Sequence, residues 1–241
     1  MADLTNQATH DYLKTIYAIC ERDALASTGR IAEELGITPA SVSGMLKKLA
    51  VCEPPLVNYR KHQGVTLTEQ GERQALQVIR RHRLLECFLH DTLGYRWDEV
   101  HDEAERLEHA VSDAFGRKIA ALLQEPERDP HGAPIPSADL SLAPDDDVPL
   151  DEVCAGQRVR VRRVDDRDPE LLRYLGELGV RPGTAFVVLP ALPFSDHARI
   201  QPDDRAEPII ISEKIAEALS VTIEDGQDSA PDLTRMDNEN E

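Results

Sequence analysis

At 241 residues, 41% hydrophobic and 30% charged, the chain is long enough for two domains and ordinary in composition for a soluble globular protein. No apolar run nears the roughly 20 residues of a membrane span, and Met1-Ala2-Asp3-Leu4 shows no basic-then-apolar leader, so a cytoplasmic protein with no membrane partner is expected. Four well-separated cysteines (Cys20, Cys52, Cys87, Cys154), with no Cys-x-x-Cys pair, argue against a disulfide framework and a thiolate zinc site.

The formal charge of −18 is uneven: residues 1–81 carry ten Lys/Arg and nine Asp/Glu, whereas the remaining 160 carry 17 and 36. The N-terminal third can therefore approach phosphates, while the rest repels them or collects cations.

In chain order, Tyr12, Ile16 and Ile19 recur at helical spacing within residues 6–21. A second helix is expected from Ser27 or Thr28, either of which can cap it, to Leu35, with Gly36 ending it in a left-handed conformation. A third starts at Thr38, an N-cap followed by Pro39 at the first helical position, and runs to about Leu49. Ile31, Leu35, Ile37, Val42, Met45, Leu46 and Leu49 then converge on one small core. Leu56–Tyr59 and Val65–Thr68 flank the polar, Gly-ended turn Arg60-Lys61-His62-Gln63-Gly64, which predicts a hairpin. Two long helices follow, over residues 69–90 and 98–123.

Six prolines within residues 125–149 mark a linker. Beyond Leu150, β-prone segments at Arg158–Val164, Ala185–Leu189 and Ile209–Ser212 surround a helix at Pro169–Leu178, with a shorter helix near Glu213–Leu219, which together predict a small β-barrel. The polar tail should be disordered. The fold class is mainly α with a β C-terminal domain.

Helix, turn, helix and basic-tipped hairpin is the layout of a winged helix-turn-helix that reads double-stranded DNA. The exposed face of the third helix offers Thr38, Pro39, Ala40, Ser41, Ser43, Gly44, Lys47 and Lys48, small enough at its start for close approach to base edges. Arg60, Lys61 and His62 are the phosphate candidates of the hairpin.

A second constellation lies in residues 82–109. His82 and Glu86 share a helix face, and His101, Glu105, Glu108 and His109 cluster on the next helix. Facing helices that present imidazole and carboxylate build divalent-metal sites. Without thiolate, the donors suit Mn2+ or Fe2+ better than structural zinc. A solvated charged face is the competing reading. A di-metal helical-bundle enzyme is the other, but it needs Glu-x-x-His twice, and the nearest match is a single Asp98-x-x-His101. No nucleophile elbow, phosphate loop or His-Glu-x-x-His motif occurs, so neither catalysis nor a small organic substrate is expected.

The strings Arg81-His82-Arg83-Leu84-Leu85-Glu86 and Val100-His101-Asp102-Glu103-Ala104-Glu105-Arg106-Leu107-Glu108-His109 resemble the diphtheria toxin repressor family of metal-dependent transcriptional regulators. So do Tyr12-Leu13-Lys14-Thr15-Ile16-Tyr17 and Gly132-Ala133-Pro134-Ile135-Pro136. The resemblance implies a winged-helix domain (1–75), a helical metal-binding and dimerisation domain (76–126), a Pro-rich linker (127–149), an SH3-like, FeoA-like domain (150–225) and an acidic tail (226–241).

It further implies a homodimeric repressor of metal-uptake genes. The primary metal site would fall at Asp11, Glu105, Glu108 and His109. Iron-responsive members carry Met and Cys where this chain has Asp11 and Glu105, whereas manganese-responsive members resemble this pattern. A second site would use His82, Glu86 and His101, joined by Asp129, His131 and Asp168, with Glu170 as the substitute for the last. Short manganese regulators without a third domain have Glu where Lys14 stands, so their paired-metal arrangement does not transfer unchanged.

Two expectations follow. Without metal, the clustered carboxylates repel one another and leave the DNA-binding and dimerisation parts loosely coupled. The dimer surface draws on apolar residues such as Leu85, Phe88, Leu89, Leu107 and Phe115, most of which fit an intramolecular core equally well.

Overall fold

A computed structural model describes residues 7–144, 146–191 and 197–224. The chain divides into two compact units, Met1–Pro144 and Asp145–Glu241. The expected disordered tail lies outside the described residues.

The first unit begins with α1 (Gln7–Cys20), α2 (Thr28–Glu34) and α3 (Pro39–Val51). Caps fix where the short helices start. Ser27 Oγ accepts the backbone N–H of Arg30, and Thr38 Oγ1 accepts that of Ser41, each satisfying a donor the helix cannot. Gly36, with φ +62°, turns the chain between α2 and α3 in the left-handed region. Strands β1 (Val57–Arg60) and β2 (Gly64–Leu67) pair antiparallel as the wing.

Leu13, Ile16, Ile31, Val42, Leu46, Leu49 and Val65 are fully buried in one core beneath these elements. Each such side chain stabilises the fold by about 1.5–3 kcal/mol. Leu35 and Met45 are half-buried at its edge. Ile37, expected inside, is instead exposed, in the turn just ahead of the Thr38 cap.

Helix α4 (Glu69–Cys87) runs from this core into a second one, ending in a π turn at Phe88–Thr92. A Cβ on Gly71 would stand 1.9 Å from the carbonyl oxygen of Leu56, so only glycine lets α4 lie against the strand entry. The single helix expected over 98–123 is two, α5 (Val100–Glu108) and α6 (Asp113–Leu122). Ser112 breaks the run: it is extended, with φ −76° and ψ 157°, and its Oγ accepts the N–H of Phe115 as a new N-cap.

Leu84, Leu85, Leu89, Val100, Ala104, Ile119 and Ile135 form the second core. Leu85 and Leu89 are therefore interior residues rather than dimer-surface ones, since α5 and α6 fold back over that side of α4. Phe88 and Leu107 are half-buried against the same core, whereas Phe115 is exposed.

Residues 127–143 do not hang free between the units. Asp129, His131, Ala133 and Ile135 are buried in the first unit, and the guanidinium groups of Arg80 and Arg83 on α4 donate to the carbonyls of Pro136 and Pro134. This strap delivers two titratable side chains to the α4–α5 site.

The second unit is an antiparallel six-stranded sheet in the order β3-β8-β4-β5-β6-β7. Its strands are β3 (Val148–Pro149), β4 (Arg158–Val164), β5 (Ala185–Leu189), β6 (Ala198–Pro202), β7 (Ile209–Ile211) and β8 (Leu219–Glu224), with α7 (Pro169–Leu178) and α8 (Glu213–Glu217) between them. Phe186, Leu172, Leu175, Ile200, Ile211 and Leu219 fill its core. β3, β6 and β8 were not anticipated from the sequence.

Candidate metal centre and DNA-reading face

Two clusters of imidazole and carboxylate groups meet where α1, α4 and α5 converge. In the first, Asp11 from α1 and Glu108 and His109 from α5 offer ligand atoms all within 4.8 Å of one another. His109 Nε2 lies 3.1 Å from Asp11 Oδ1 and 3.3 Å from Glu108 Oε1. Its ring stacks on His10 at 5.7 Å between centroids. His109 ends α5 with helical dihedrals, so its place one turn beyond Glu105 survives the break before α6.

Glu105 does not join this cluster. It sits on the solvent rim, about half exposed, with its Oε1 held 2.9 Å from Lys14 Nζ. The same ammonium is 3.0 and 3.3 Å from the two oxygens of Glu108, whose side chain is only 1% exposed. A lysine of α1 thus compensates two carboxylates of α5.

The second cluster is continuous with the first. His82 Nδ1 lies 2.6 Å from Glu108 Oε2, and His82 Nε2 lies 3.0 Å from Glu86 Oε1 and 3.3 Å from His101 Nδ1. From the strap, His131 Nδ1 approaches Glu86 Oε1 at 3.7 Å, while His131 Nε2 donates to the carbonyl of Trp97 at 2.7 Å. Asp129 Oδ1 accepts the N–H groups of His131 and Ala133, each at 2.9 Å, which shapes the strap, and Glu86, Asp129 and His131 also fall within 4.8 Å. Asp168 belongs to the second unit, where it caps α7 by accepting from the N–H groups of Glu170 and Leu171.

Electrostatics follow the geometry. Burial raises the Glu108 carboxyl, but the His82 hydrogen bond and the charges of His82 and Lys14 outweigh it and hold the group at about 2. Burial lowers His82, but Glu86 and Glu108 raise it further, to about 9. Burial pushes Asp11 up, against the pull of His109 and Lys14.

The donors fit a divalent cation of intermediate hardness: carboxylate oxygen and imidazole nitrogen, with no sulfur in any cluster among the described residues. His109 Nδ1 is buried without a hydrogen-bond partner, which leaves Nε2 as the nitrogen aimed at the carboxylates. The Glu108–His82 contact has the form of a carboxylate orienting a ligand imidazole: Nδ1–H points at Glu108 and Nε2 faces Glu86 and His101.

On the DNA-reading side, Thr38, Pro39, Ala40, Ser41, Gly44, Lys47 and Lys48 are exposed along α3. Ser43 is half-buried, and Thr38 Oγ1 is also 3.0 Å from Ser41 Oγ, so these two hydroxyls are shared between capping and surface. Arg60, Lys61 and His62 are exposed at the wing tip, His62 with φ +64°.

Residues 3–65 match the family model described as iron dependent repressor, N-terminal DNA binding domain, residues 68–137 its metal binding and dimerisation domain, and residues 148–223 the FeoA domain. The chain is 30% identical over 236 residues to the diphtheria toxin repressor of Corynebacterium efficiens, covering 94% of this chain and 99% of that one. It is 34% identical over 192 residues to the iron-dependent repressor IdeR of Mycobacterium tuberculosis, covering 75% and 83%.

The chain belongs to the diphtheria toxin repressor family.

Among solved structures, it is similar to a manganese-dependent transcriptional repressor in complex with manganese, at 41% identity and TM-score 0.83 over 89% of this chain and 99% of that one. It is also similar to the manganese regulator SloR, at 33% identity and TM-score 0.74 over 91% and 99%.

For two α1 residues beside Asp11 the contact partners were not legible in the sequence: Lys14 reaches Glu105, 91 residues away, and His10 stacks on His109.

Proposed function

We propose that this protein is a cytoplasmic, homodimeric transcriptional repressor that binds operator DNA when intracellular Mn2+ is plentiful and so turns down metal-uptake genes. The observation that carries the reading is the all-oxygen-and-nitrogen cluster Asp11–Glu108–His109, in which α1 of the DNA-binding domain meets α5 of the dimerisation domain. The 41% identity to a repressor solved with manganese supports that ion. Ferrous iron is the alternative, favoured by the iron-dependent repressor IdeR at 34% identity.

Asp11, Glu108 and His109 would hold the primary ion, with Glu105 at its rim, and His82, Glu86, His101, Asp129 and His131 would serve a second. The bound ion supplies positive charge shared by carboxylates of both domains. The chain does the rest: α1 packs on α4 and carries Asp11, so fixing α1 to α5 fixes the placement of α3 relative to the dimer partner. Moving from mostly inactive to mostly active takes a preference of about 5 kcal/mol for the active state. Phe115 and Leu122, seven residues apart on one exposed face of α6, supply part of the dimer surface. No described helix is long and apolar enough to cross a membrane.

The test is DNA binding titrated separately with Mn2+, Fe2+ and Zn2+ without oxygen, using duplexes selected from a random pool. Manganese should act at the lowest free concentration. A response to iron alone at physiological levels would transfer the reading to an iron sensor, and ion-independent binding would remove it.

A further inference from the structure

The carboxylates of α5 face a cation that belongs to the chain itself. Lys14 Nζ lies 2.9 Å from Glu105 and 3.0 Å from Glu108, reaching from α1 to α5 as Asp11 does toward His109. Lys14 and Asp11 are three residues apart on α1, so their side chains share a face, one cationic and one anionic. The Lys14 side chain is 21% exposed and that of Glu108 1%, a depth at which a carboxylate needs a compensating charge. The ammonium also holds Glu105 away from the three-residue cluster, against the solvent rim.

We propose that Lys14 is a built-in counter-cation that sets the metal concentration at which the protein switches. It occupies Glu105 and Glu108 until a divalent ion displaces it. This rests on the reading of Asp11, Glu105, Glu108 and His109 as the primary metal site. With Lys14 present, three carboxylates and one ammonium leave a net of two negative charges facing the ion, and without it the net is three. A competitor that holds the ligands most of the time weakens the apparent metal affinity by the fraction of time they are free. If Lys14 is engaged nine-tenths of the time, the loss is about tenfold. Lys14 also gives the metal-free protein an α1–α5 tie of its own, so its removal should loosen that form while tightening metal binding.

Two measurements on the full-length, chelator-treated protein test this. In calorimetric titration with Mn2+, Lys14→Gln should bind about tenfold more tightly than wild type and melt at a lower temperature without metal, while Lys14→Arg keeps a wild-type affinity. Lys14→Gln affinity equal to or below wild type overturns the proposal. Should Lys14→Gln fail to fold, acetylation footprinting of the wild type decides: Lys14 should be protected without metal and become reactive as Mn2+ saturates the protein, and unchanged reactivity overturns the proposal. Glu108→Gln separates the two levels of inference. If it weakens Mn2+ binding while Lys14 does not respond, only the role of Lys14 fails. If Glu108→Gln changes nothing, the metal site is misassigned and the role of Lys14 falls with it.

Discussion

His82 Nδ1 lies 2.6 Å from Glu108 Oε2, and through this one contact the two clusters of the sensor become a single network. Glu108 faces Lys14 and His109 on one side and His82 on the other, so its negative charge serves both.

Glu108→Gln keeps the side chain's shape and removes that charge. It should weaken Mn2+ binding by at least about 10–100-fold, the usual cost of losing a ligand's orienting partner, because Glu108 is a ligand of the primary site as well as the partner that orients His82, and lower the affinity of both sites together. Calorimetry with Mn2+ checks this, with Glu103→Gln, whose side chain pairs with Arg106 instead, as the control that binds like wild type. Loss at one site with the other intact would show that the clusters act independently.

The metal-free protein should show a defined pH profile. His82 is raised from 6.5 to about 9, so its contribution to stability is fully present below 6.5 and is lost as pH rises through 9. Glu108 is lowered from 4.5 to about 2, so its contribution is present above 4.5 and is lost as pH falls through 2. Thermal melts with a chelator present should therefore give melting temperatures that fall between pH 6.5 and 9, and His82→Gln should flatten that limb. An equal fall in the variant would assign the limb to other groups.

At the wing tip, Arg60→Ala with Lys61→Ala should weaken DNA binding about equally across sequences and reduce the slope of log affinity against log salt by about 2, since two phosphate contacts are removed. Ala40→Glu on α3 should instead abolish binding by placing a carboxylate at the groove. Anisotropy titrations at several salt concentrations distinguish the two. An unchanged salt slope would place the wing away from the backbone.

Gly71→Ala should destabilise the first unit by about 2–3 kcal/mol, because the added Cβ meets the Leu56 carbonyl at 1.9 Å and α4 must shift. Urea melts monitored by circular dichroism measure this, and a change within about 0.5 kcal/mol would show that the contact relaxes freely.

Much of the DNA-binding domain was legible in the sequence because its boundaries are local chemistry: Ser27 and Thr38 cap, Gly36 turns, and Gly64 ends the wing turn. The divide between α5 and α6 was not, because His109-Ala110-Val111 carries neither Gly nor Pro and the apolar pattern runs on through it. Strand β6, Ala198–Pro202, was hidden by Arg199, Gln201 and its terminal proline. β8 shows clear alternation of Leu219, Val221 and Ile223 with polar residues, a signal present but unread.

At the metal centre, helix spacing brought out His82, Glu86, His101, Glu105, Glu108 and His109, and family resemblance added Asp11. The ion pairs of Lys14 stayed hidden because a lysine on an amphipathic helix reads as a solvated one. Only tertiary packing gives it two carboxylate partners.

The most direct test of the central claim is Mn2+-dependent anisotropy of a selected duplex, comparing wild type with the double variant Asp11→Ala, Glu105→Ala. If a shared ion joins α1 to α5 to set the DNA grip, wild type binds the duplex as Mn2+ rises and the variant, folded and dimeric, fails to respond. A variant that still gains DNA affinity with manganese at wild-type concentrations would contradict the account.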